Sequence, residues 1–180
     1  MLNAYLNDTV MRIRNGQSVP MPAMIAEKPF MFQPISAGGI MVLSNITITL
    51  SETDIQRSDL FRLPDGRVRP AAYIDTIQGG WSTYGTRLRL AALPTTYVVC
   101  TPDRIYDGEG TTETVAQGHE IACEEVQGED AIIVAAGEAL ELDDRILSPF
   151  PGRVLSIEHP VGASVKRVKF ERLSRPRKDT

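Results

Sequence analysis

Residues 40–50 read IMVLSNITITL, and this stretch indicates the fold class of the chain. Its apolar residues mostly alternate with small polar residues and include several β-branched side chains, which is typical of a half-buried β-strand. Shorter runs of the same kind follow, and between residues 118 and 162 the glycines that separate them lie nine to fifteen positions apart. This spacing predicts a mainly β protein, either a β-barrel or a β-sandwich of short antiparallel strands.

A different pattern precedes this strand at the start of the chain. Apolar side chains recur there at spacings of three and four residues, namely Leu2, Tyr5, Leu6, Val10 and Ile13. Such a stripe is typical of an amphipathic helix, and the Asn15-Gly16 pair that follows is a common helix stop. We therefore expect one short N-terminal helix.

Residues 17–39 have a composition that disfavours regular structure. Proline lacks a backbone N–H donor, and four prolines within fifteen positions predict an extended arm. These prolines are Pro20, Pro22, Pro29 and Pro34. Large apolar side chains lie in the same stretch, and an exposed apolar arm gains burial when it packs on a neighbour or on its own domain. We predict an interface on this arm at Met24, Phe30, Met31 and Phe32.

Charge is distributed unevenly around the net value of −4. Residues 103–145 hold thirteen acidic and two basic side chains, or −11, and residues 166–180 hold seven basic and two acidic side chains, or +5. The change near residue 103 predicts a boundary there, and the chain then divides into four parts. Residues 1–39 form the helix and arm, and residues 40–102 form a β-rich domain or the first half of a core. Residues 103–170 form an acidic β-rich region or the second half of that core, and residues 171–180 form a basic tail.

The basic residues near the C-terminus form a second candidate interface. They are Lys166, Arg167, Lys169, Arg172, Arg175, Arg177 and Lys178. Such a run is suited to an acidic partner surface, to nucleic acid or to the acidic segment of a neighbouring copy, and it is also typical of a solvated tail. The acidic balance of the chain and the single aromatic residue in this run, Phe170, disfavour nucleic acid.

An aromatic loop forms a third candidate interface, at Trp81 and Tyr84. The stretch from residue 79 to residue 85 reads GGWSTYG, with glycine on both sides of the aromatic residues. Flexible backbone lets such rings meet a ligand or a protein partner. A ring that closes one end of a β-barrel has the same sequence pattern, and the sequence leaves both interpretations open.

The sequence does not predict catalysis. His119, Glu120 and Cys123 belong to the densest set of metal-ligand types, but successive side chains of a strand point to opposite faces. Paired zinc ligands, a Gly-X-Ser-X-Gly elbow and a Gly-Lys-Ser/Thr phosphate loop are missing from the sequence. We therefore predict a non-enzymatic protein without metal, cofactor or small-molecule substrate. The alternative is a small β-barrel enzyme or ligand-binding module that uses Trp81, Tyr84, His119 and Glu120.

Membrane insertion and secretion are not expected. The apolar runs are far shorter than the roughly 18 residues of a membrane span, and residues 1–14 lack the basic start and apolar stretch of a secretory signal. These features predict a chain that is made in the cytoplasm and has no membrane partner.

Residues 135–154, AAGEALELDDRILSPFPGRV, resemble part of the small β-barrel capsid decoration (cement) proteins of tailed bacteriophages. In that family a glycine-containing turn leads into a short apolar segment, and a Gly-Lys/Arg-Val hairpin follows. The matching residues are Gly137, Ala139, Leu140, Arg145, Ile146, Gly152, Arg153 and Val154. The resemblance implies a virion structural protein of the capsid decoration or head–tail connector type, made in the host cytoplasm, whose partners are other copies of itself and other virion proteins.

A second resemblance covers residues 146–165, which are similar to the β-hairpins of biotinyl and lipoyl carrier domains. The shared residues are Pro149, Gly152, Val154, Gly162 and Val165. Those domains carry a modified lysine at a hairpin tip, whereas this chain has no lysine between Lys28 and Lys166. The missing lysine argues against a carrier function.

Overall fold

The computed structural model of the chain describes residues 5–80, 82–106, 108, 110–115, 117–161 and 163–173. These residues form two compact units. The first contains the described residues of Met1–Leu93, Ala135–Gly137 and His159–Val165, and the second contains those of Pro94–Val134, Glu138–Glu158 and Lys166–Thr180. No helix among the described residues is long and apolar enough to cross a membrane.

Seven antiparallel strands form the sheet of the first unit. They are β1 (Asp8–Arg14), β2 (Gln17–Glu27), β3 (Gln33–Ala37), β4 (Ile40–Leu50), β5 (Leu60–Arg62), β6 (Val68–Gly79) and β7 (Ser82–Ala91). Their order is β2-β1-β5-β6-β7-β4-β3, and β2 also pairs with β4. Because of this additional pairing, six of the strands form a closed ring, and β3 continues the line of β2 along β4.

Each strand of this ring contributes apolar side chains to one core. The alternation that predicted a strand at residues 40–50 is confirmed, because Ile46, Ile48 and Leu50 of β4 are all buried on the same face. Burial of a side chain of this size contributes roughly 1.5–3 kcal/mol. The core consists of Val10, Met21, Ala23, Ile46, Ile48, Leu50, Phe61, Leu63, Ala71, Leu88 and Leu90.

The predicted N-terminal helix is wrong for the described residues, since Asp8–Arg14 form β1. Asn15 and Gly16 have φ angles of 51° and 77°, and Arg14 is paired with Gln17. Two successive positive φ angles are typical of the type I′ two-residue turn of a β-hairpin, so Asn15-Gly16 forms the turn between β1 and β2 and does not end a helix. The burial of Val10 in the barrel then favours the strand over the helix.

The extended arm is also absent from the described residues, because most of residues 17–39 lie in β2 and β3. Pro20 and Pro22 lie opposite Met11 and Thr9 of β1, and β4 pairs with the other side of β2 only from Ala23 onward. That other side is therefore a sheet edge at both prolines, and a sheet edge is where a missing N–H group is tolerated. Pro34 lies in β3, the last strand in the sheet order.

Eight strands belong to the second part of the chain. They are β8 (Thr95–Cys100), β9 (Asp103–Tyr106), β10 (Thr111–Thr114), β11 (His119–Glu125), β12 (Ala131–Ala135), β13 (Arg145–Ser148), β14 (Gly152–Glu158) and β15 (Val165–Arg172). Six of them close into a barrel in the order β11-β12-β15-β14-β13-β8, and β9 and β10 form a separate hairpin. The prediction of a mainly β fold with a barrel is therefore confirmed.

The second barrel has its own core, which contains Tyr97, Val99, Ile121, Cys123, Ile132, Val134, Leu140, Ile146, Val154, Val168 and Phe170. Three aromatic rings pack together at one part of it. The centroids of Tyr97 and Phe150 are 5.6 Å apart in an edge-to-face arrangement, and those of Phe150 and Phe170 are 5.2 Å apart. Such pairs stabilise a core beyond the area that they bury.

Candidate functional site

Residues 28–32 form the loop between β2 and β3, and the strand register explains why this loop projects. Glu27 of β2 lies opposite Ile46 of β4, and Gln33 of β3 lies opposite Ser44. The five residues 28–32 therefore face a single position of β4, Asn45. Because five residues do not fit in the space of one strand position, the chain leaves the sheet edge here; we call residues 28–32 the contact loop.

Backbone hydrogen bonds fix the shape of the contact loop. The Lys28 N–H donates to the Asn45 carbonyl at 2.9 Å, and the Met31 N–H donates to the Lys28 carbonyl at 2.9 Å. The second bond closes a β-turn with Pro29 at its second position, where the fixed φ of proline is favourable. Phe30 follows at the tip of this turn, so a large apolar side chain is held outward on an ordered backbone.

The four residues predicted as an arm interface are all exposed in the structure. Phe30 is 94% exposed, Met31 57%, Phe32 44% and Met24 42%. Met24 lies on β2, and the other three belong to the contact loop. Sequence reasoning placed them on an extended arm, whereas the structure places them on and beside a turn of a closed sheet.

A basic cleft of about 270 Å³ lies beside the contact loop. Its lining includes Lys28 and Met31 of the loop, Asn45 and Thr47 of β4, and Arg89 of β7. Lys28 and Arg89 are its charged lining residues, and neither has an ion pair with a described residue. The apolar tip is therefore accompanied by two cationic side chains.

The aromatic loop predicted at Trp81 and Tyr84 is only partly described. Trp81 lies outside the residues that the structure describes, and Tyr84 lies on β7 with its side chain about half exposed. A Cβ atom added to Gly79 would come within 2.4 Å of the Tyr84 ring. Tyr84 therefore packs against the glycine of the neighbouring strand.

The candidate metal ligands do not form a cluster. His119 and Glu120 are exposed neighbours on β11, opposite Val99 and Val98, and their side chains point to opposite faces of the strand. Cys123 is buried in the second core, and burial raises the pKa of its thiol to about 12. Among the described residues, no group of three His, Cys, Asp or Glu side chains could hold a metal ion. The alternative enzyme or ligand site predicted from the sequence combines Tyr84 of the first unit with His119 and Glu120 of the second unit.

The basic residues near the C-terminus are described up to Arg172, and these have partners on their own unit. Lys166 is buried, its Nζ donates to the Glu138 carbonyl at 2.5 Å, and burial lowers its pKa. On the surface of β15, Arg167 pairs with Glu129, Lys169 with Glu158 at 2.7 Å, and Arg172 with Asp130 at 2.8 Å. Arg175, Arg177 and Lys178 lie outside the described residues.

Sequence reasoning missed a second cleft, of about 350 Å³, beside the turn that joins β11 to β12. Tyr97 and Phe170 of the aromatic core line it, and the Tyr97 hydroxyl donates to Glu125 Oε1 at 2.9 Å. Burial and the neighbouring Glu125 carboxylate together raise the pKa of Tyr97. Further lining residues are Glu129, Asp130 and Arg172. We call this site the acidic cleft.

The sequence contained only part of the signal for the acidic cleft. The acidic pairs Glu124-Glu125 and Glu129-Asp130 flank Gly128, which has a φ of 77° and marks a turn. The aromatic side chains come from β8 and β15, which are distant in sequence from that turn. Closure of the barrel brings them together. The periodicity of the sequence predicts strands, but it does not predict which residues become neighbours when the barrel closes.

Comparison of the chain with protein-family models, with curated proteins and with solved structures gives no match.

Proposed function

We propose that the chain is a non-enzymatic structural component of a multi-copy assembly that acts through protein–protein contacts. The observation that carries this proposal is Phe30, which is 94% exposed at the tip of a hydrogen-bonded turn. Burial of a phenylalanine side chain on a partner is worth roughly 1.5–3 kcal/mol. A tip whose backbone is already ordered loses little further entropy on binding, so more of this gain becomes affinity.

The type of assembly is part of the same proposal. We assign the chain to the structural proteins of tailed-phage particles, of the capsid decoration or head–tail connector type, on the resemblance of residues 135–154 to that family. Copies of the chain and other virion proteins are the partners that this assignment implies. A repeated lattice increases the effective concentration of each contact, so contacts of modest affinity are sufficient there.

Native mass tests the proposal. Light scattering behind size exclusion, over a concentration series, is expected to show concentration-dependent association of the wild-type chain. The double variant Phe30→Ser with Met31→Ser should weaken association at least tenfold, which corresponds to about 1.4 kcal/mol. Val161→Ser is the matched control, because Val161 is an equally exposed apolar side chain of the first unit that lies outside the contact loop.

Two results would contradict the proposal. One is a wild-type chain that stays monomeric at every concentration, and the other is a double variant that associates as the wild type does. A monomer that retains a stoichiometric metal or small molecule through purification would instead support a ligand-binding module.

A further inference from the structure

We propose that the contact loop of one copy docks in the acidic cleft of another copy, so that copies join head to tail. This inference rests on the proposed function and adds to it the identity of the partner surface. The two surfaces lie on different units of the chain, the loop on the first and the cleft on the second. A contact between two different surfaces is heterologous, and its repetition produces a ring or a filament.

The contact loop supplies a cation next to an apolar group. Lys28 begins the turn, is exposed, and has no ion pair among the described residues. Phe30 lies two positions further along, at the tip, and Met31 is exposed beside it. Arg89 adds a second cation at the adjacent basic cleft, and it too has no ion pair within the part of the chain that the structure describes. A surface of this composition fits a partner that combines carboxylates with aromatic side chains.

The acidic cleft has that composition. Glu125, Glu129 and Asp130 contribute three carboxylates. Glu129 pairs with Arg167 and Asp130 with Arg172, whereas Glu125 accepts a hydrogen bond from the Tyr97 hydroxyl and has no ion pair among the described residues. Tyr97 and Phe170 line the base of the cleft and are themselves almost fully buried, and the volume of about 350 Å³ lies within the range of roughly 300–1,000 Å³ for small-ligand sites. Apart from the two chain neighbours of Gly128, no described residue has a heavy atom within 4 Å of a Cβ built on this glycine, so there is open space beside the turn.

Charge and shape together favour a second copy as the occupant. The Lys28 ammonium is suited to donate a charge-assisted hydrogen bond to the Glu125 carboxylate, and the exposed Phe30 side chain would gain burial in the cleft. Both surfaces are present on every copy, so they meet at equal concentration in a pure sample of the chain. An unrelated basic peptide would need only the cleft and would leave the exposed Phe30 unexplained.

Charge reversal on each surface provides the test. Lys28→Glu alters the loop and leaves the cleft intact, whereas Glu129→Lys alters the cleft and leaves the loop intact. The control for the cleft is Glu158→Lys, because Glu158 also pairs with basic residues of β15 and does not line the cleft. The control for the loop is Arg62→Glu, which reverses an exposed charge of the first unit. Each single variant should weaken self-association at least tenfold, and each control should leave it unchanged.

Mixing one loop variant with one cleft variant distinguishes a head-to-tail contact from a symmetric one. The variants mixed are Glu129→Lys and the double variant Phe30→Ser with Met31→Ser, because Lys28→Glu and Glu129→Lys would give altered surfaces of opposite charge that attract each other. An equimolar mixture contains one intact loop and one intact cleft per pair, so light scattering should show a 1:1 dimer that does not grow further. If the mixture stays monomeric, the head-to-tail contact is wrong. If Glu129→Lys associates like the wild type while the double variant of Phe30 and Met31 does not, the inference fails and the proposed function stands.

A second cleft variant distinguishes a loss of association from a loss of folding. Gln127→Lys adds a positive charge to the lining of the cleft without removing either ion pair at its rim. It should weaken association in the same direction as Glu129→Lys, with an unchanged thermal unfolding curve. A wild-type chain that is monomeric at every concentration would overturn both the proposed function and this inference.

Discussion

Asp59 is a buried carboxylate that connects β1 with the loop before β5. Its oxygens accept hydrogen bonds from Arg14 Nε at 2.6 Å, from Arg14 Nη2 at 2.7 Å and from the Gln56 N–H at 2.8 Å. Burial by itself would raise the pKa of this carboxyl, but the hydrogen bonds from Arg14 and from the Gln56 backbone outweigh it and lower the pKa below its ordinary value. The folded state therefore favours the ionised form.

Replacing this carboxylate should destabilise the first unit. Asp59→Asn leaves the Arg14 guanidinium without its buried partner, and removal of one member of a buried pair costs about 3 kcal/mol. Asp54→Asn is the matched control, because Asp54 pairs with the same guanidinium at 2.9 Å but is 71% exposed. An exposed pair contributes about 1 kcal/mol or less. Urea unfolding at neutral pH measures both values, and equal losses would contradict the buried pair.

The ion pair of Asp59 with Arg14 also predicts how the free energy of unfolding depends on pH. A carboxyl with a lowered pKa in the folded state contributes stability above its unfolded pKa of about 4, and this contribution is lost as pH falls through the folded pKa. The stability difference between the wild type and Asp59→Asn should therefore be constant near neutral pH and shrink below about pH 4.

At the scale of secondary structure, β9 and β10 form an exposed hairpin inserted between two strands that pair with each other. β8 and β11 are neighbours in the second barrel, with Val99 opposite His119, and the hairpin lies in the connection between them. Every residue of β9 and β10 is exposed. Ion pairs of Glu113 with Arg145 and of Arg104 with Asp143 join the hairpin to the barrel surface.

Excision of residues 103–114 should therefore leave the second barrel folded. The excised strands bury no core residue, and their exposed ion pairs contribute about 1 kcal/mol or less each. Six residues, 101–102 and 115–118, remain to connect β8 with β11. Ile121→Ala, which removes a buried side chain of β11, should cost about 2–5 kcal/mol by comparison. An excised chain as unstable as Ile121→Ala in urea unfolding would show that the hairpin supports the barrel.

Secondary structure was predictable from sequence where one interpretation fits the pattern. The alternation in residues 40–50 allows only a strand, and β4 has that conformation. The spacing at residues 2–13 fits a helix equally well, and Asn15-Gly16 is both a helix stop and a hairpin turn. Pairing of β1 with β2 and β5, which lie elsewhere in the chain, decides the outcome. Local patterns cannot supply that contact.

For the whole molecule, the exposed residues were easier to predict than their arrangement. Phe30 and Met31 are recognisable as candidate contact residues from sequence, because large apolar side chains in a proline-rich stretch are not part of a regular strand or helix pattern that would bury them. Their position depends on β2 and β3 sharing one edge of β4, and the acidic cleft depends on barrel closure. The positions of the contact loop and the acidic cleft depend on pairings between strands that are far apart in sequence. Periodicity therefore identifies candidate residues for these sites but does not predict how the residues are arranged.

The net charge of the whole molecule gives the self-association a predictable salt dependence. Lys28→Glu and Arg62→Glu each change the net charge from −4 to −6, so general repulsion between copies is equal in the two variants. The ratio of their association constants therefore isolates the local attraction of Lys28 for its partner. Salt screens that attraction, since the screening length falls from about 10 Å at 0.1 M to about 3 Å at 1 M.

We expect the deficit of Lys28→Glu relative to Arg62→Glu to shrink severalfold as salt is raised over this range. The deficit of the Phe30 and Met31 double variant should persist, because burial of apolar surface does not depend on charge screening. Sedimentation velocity at both salt concentrations measures the two ratios. A Lys28→Glu deficit that is as large at high salt as at low salt would mean that Lys28 acts through packing of its aliphatic chain, and charge would then not select the partner surface.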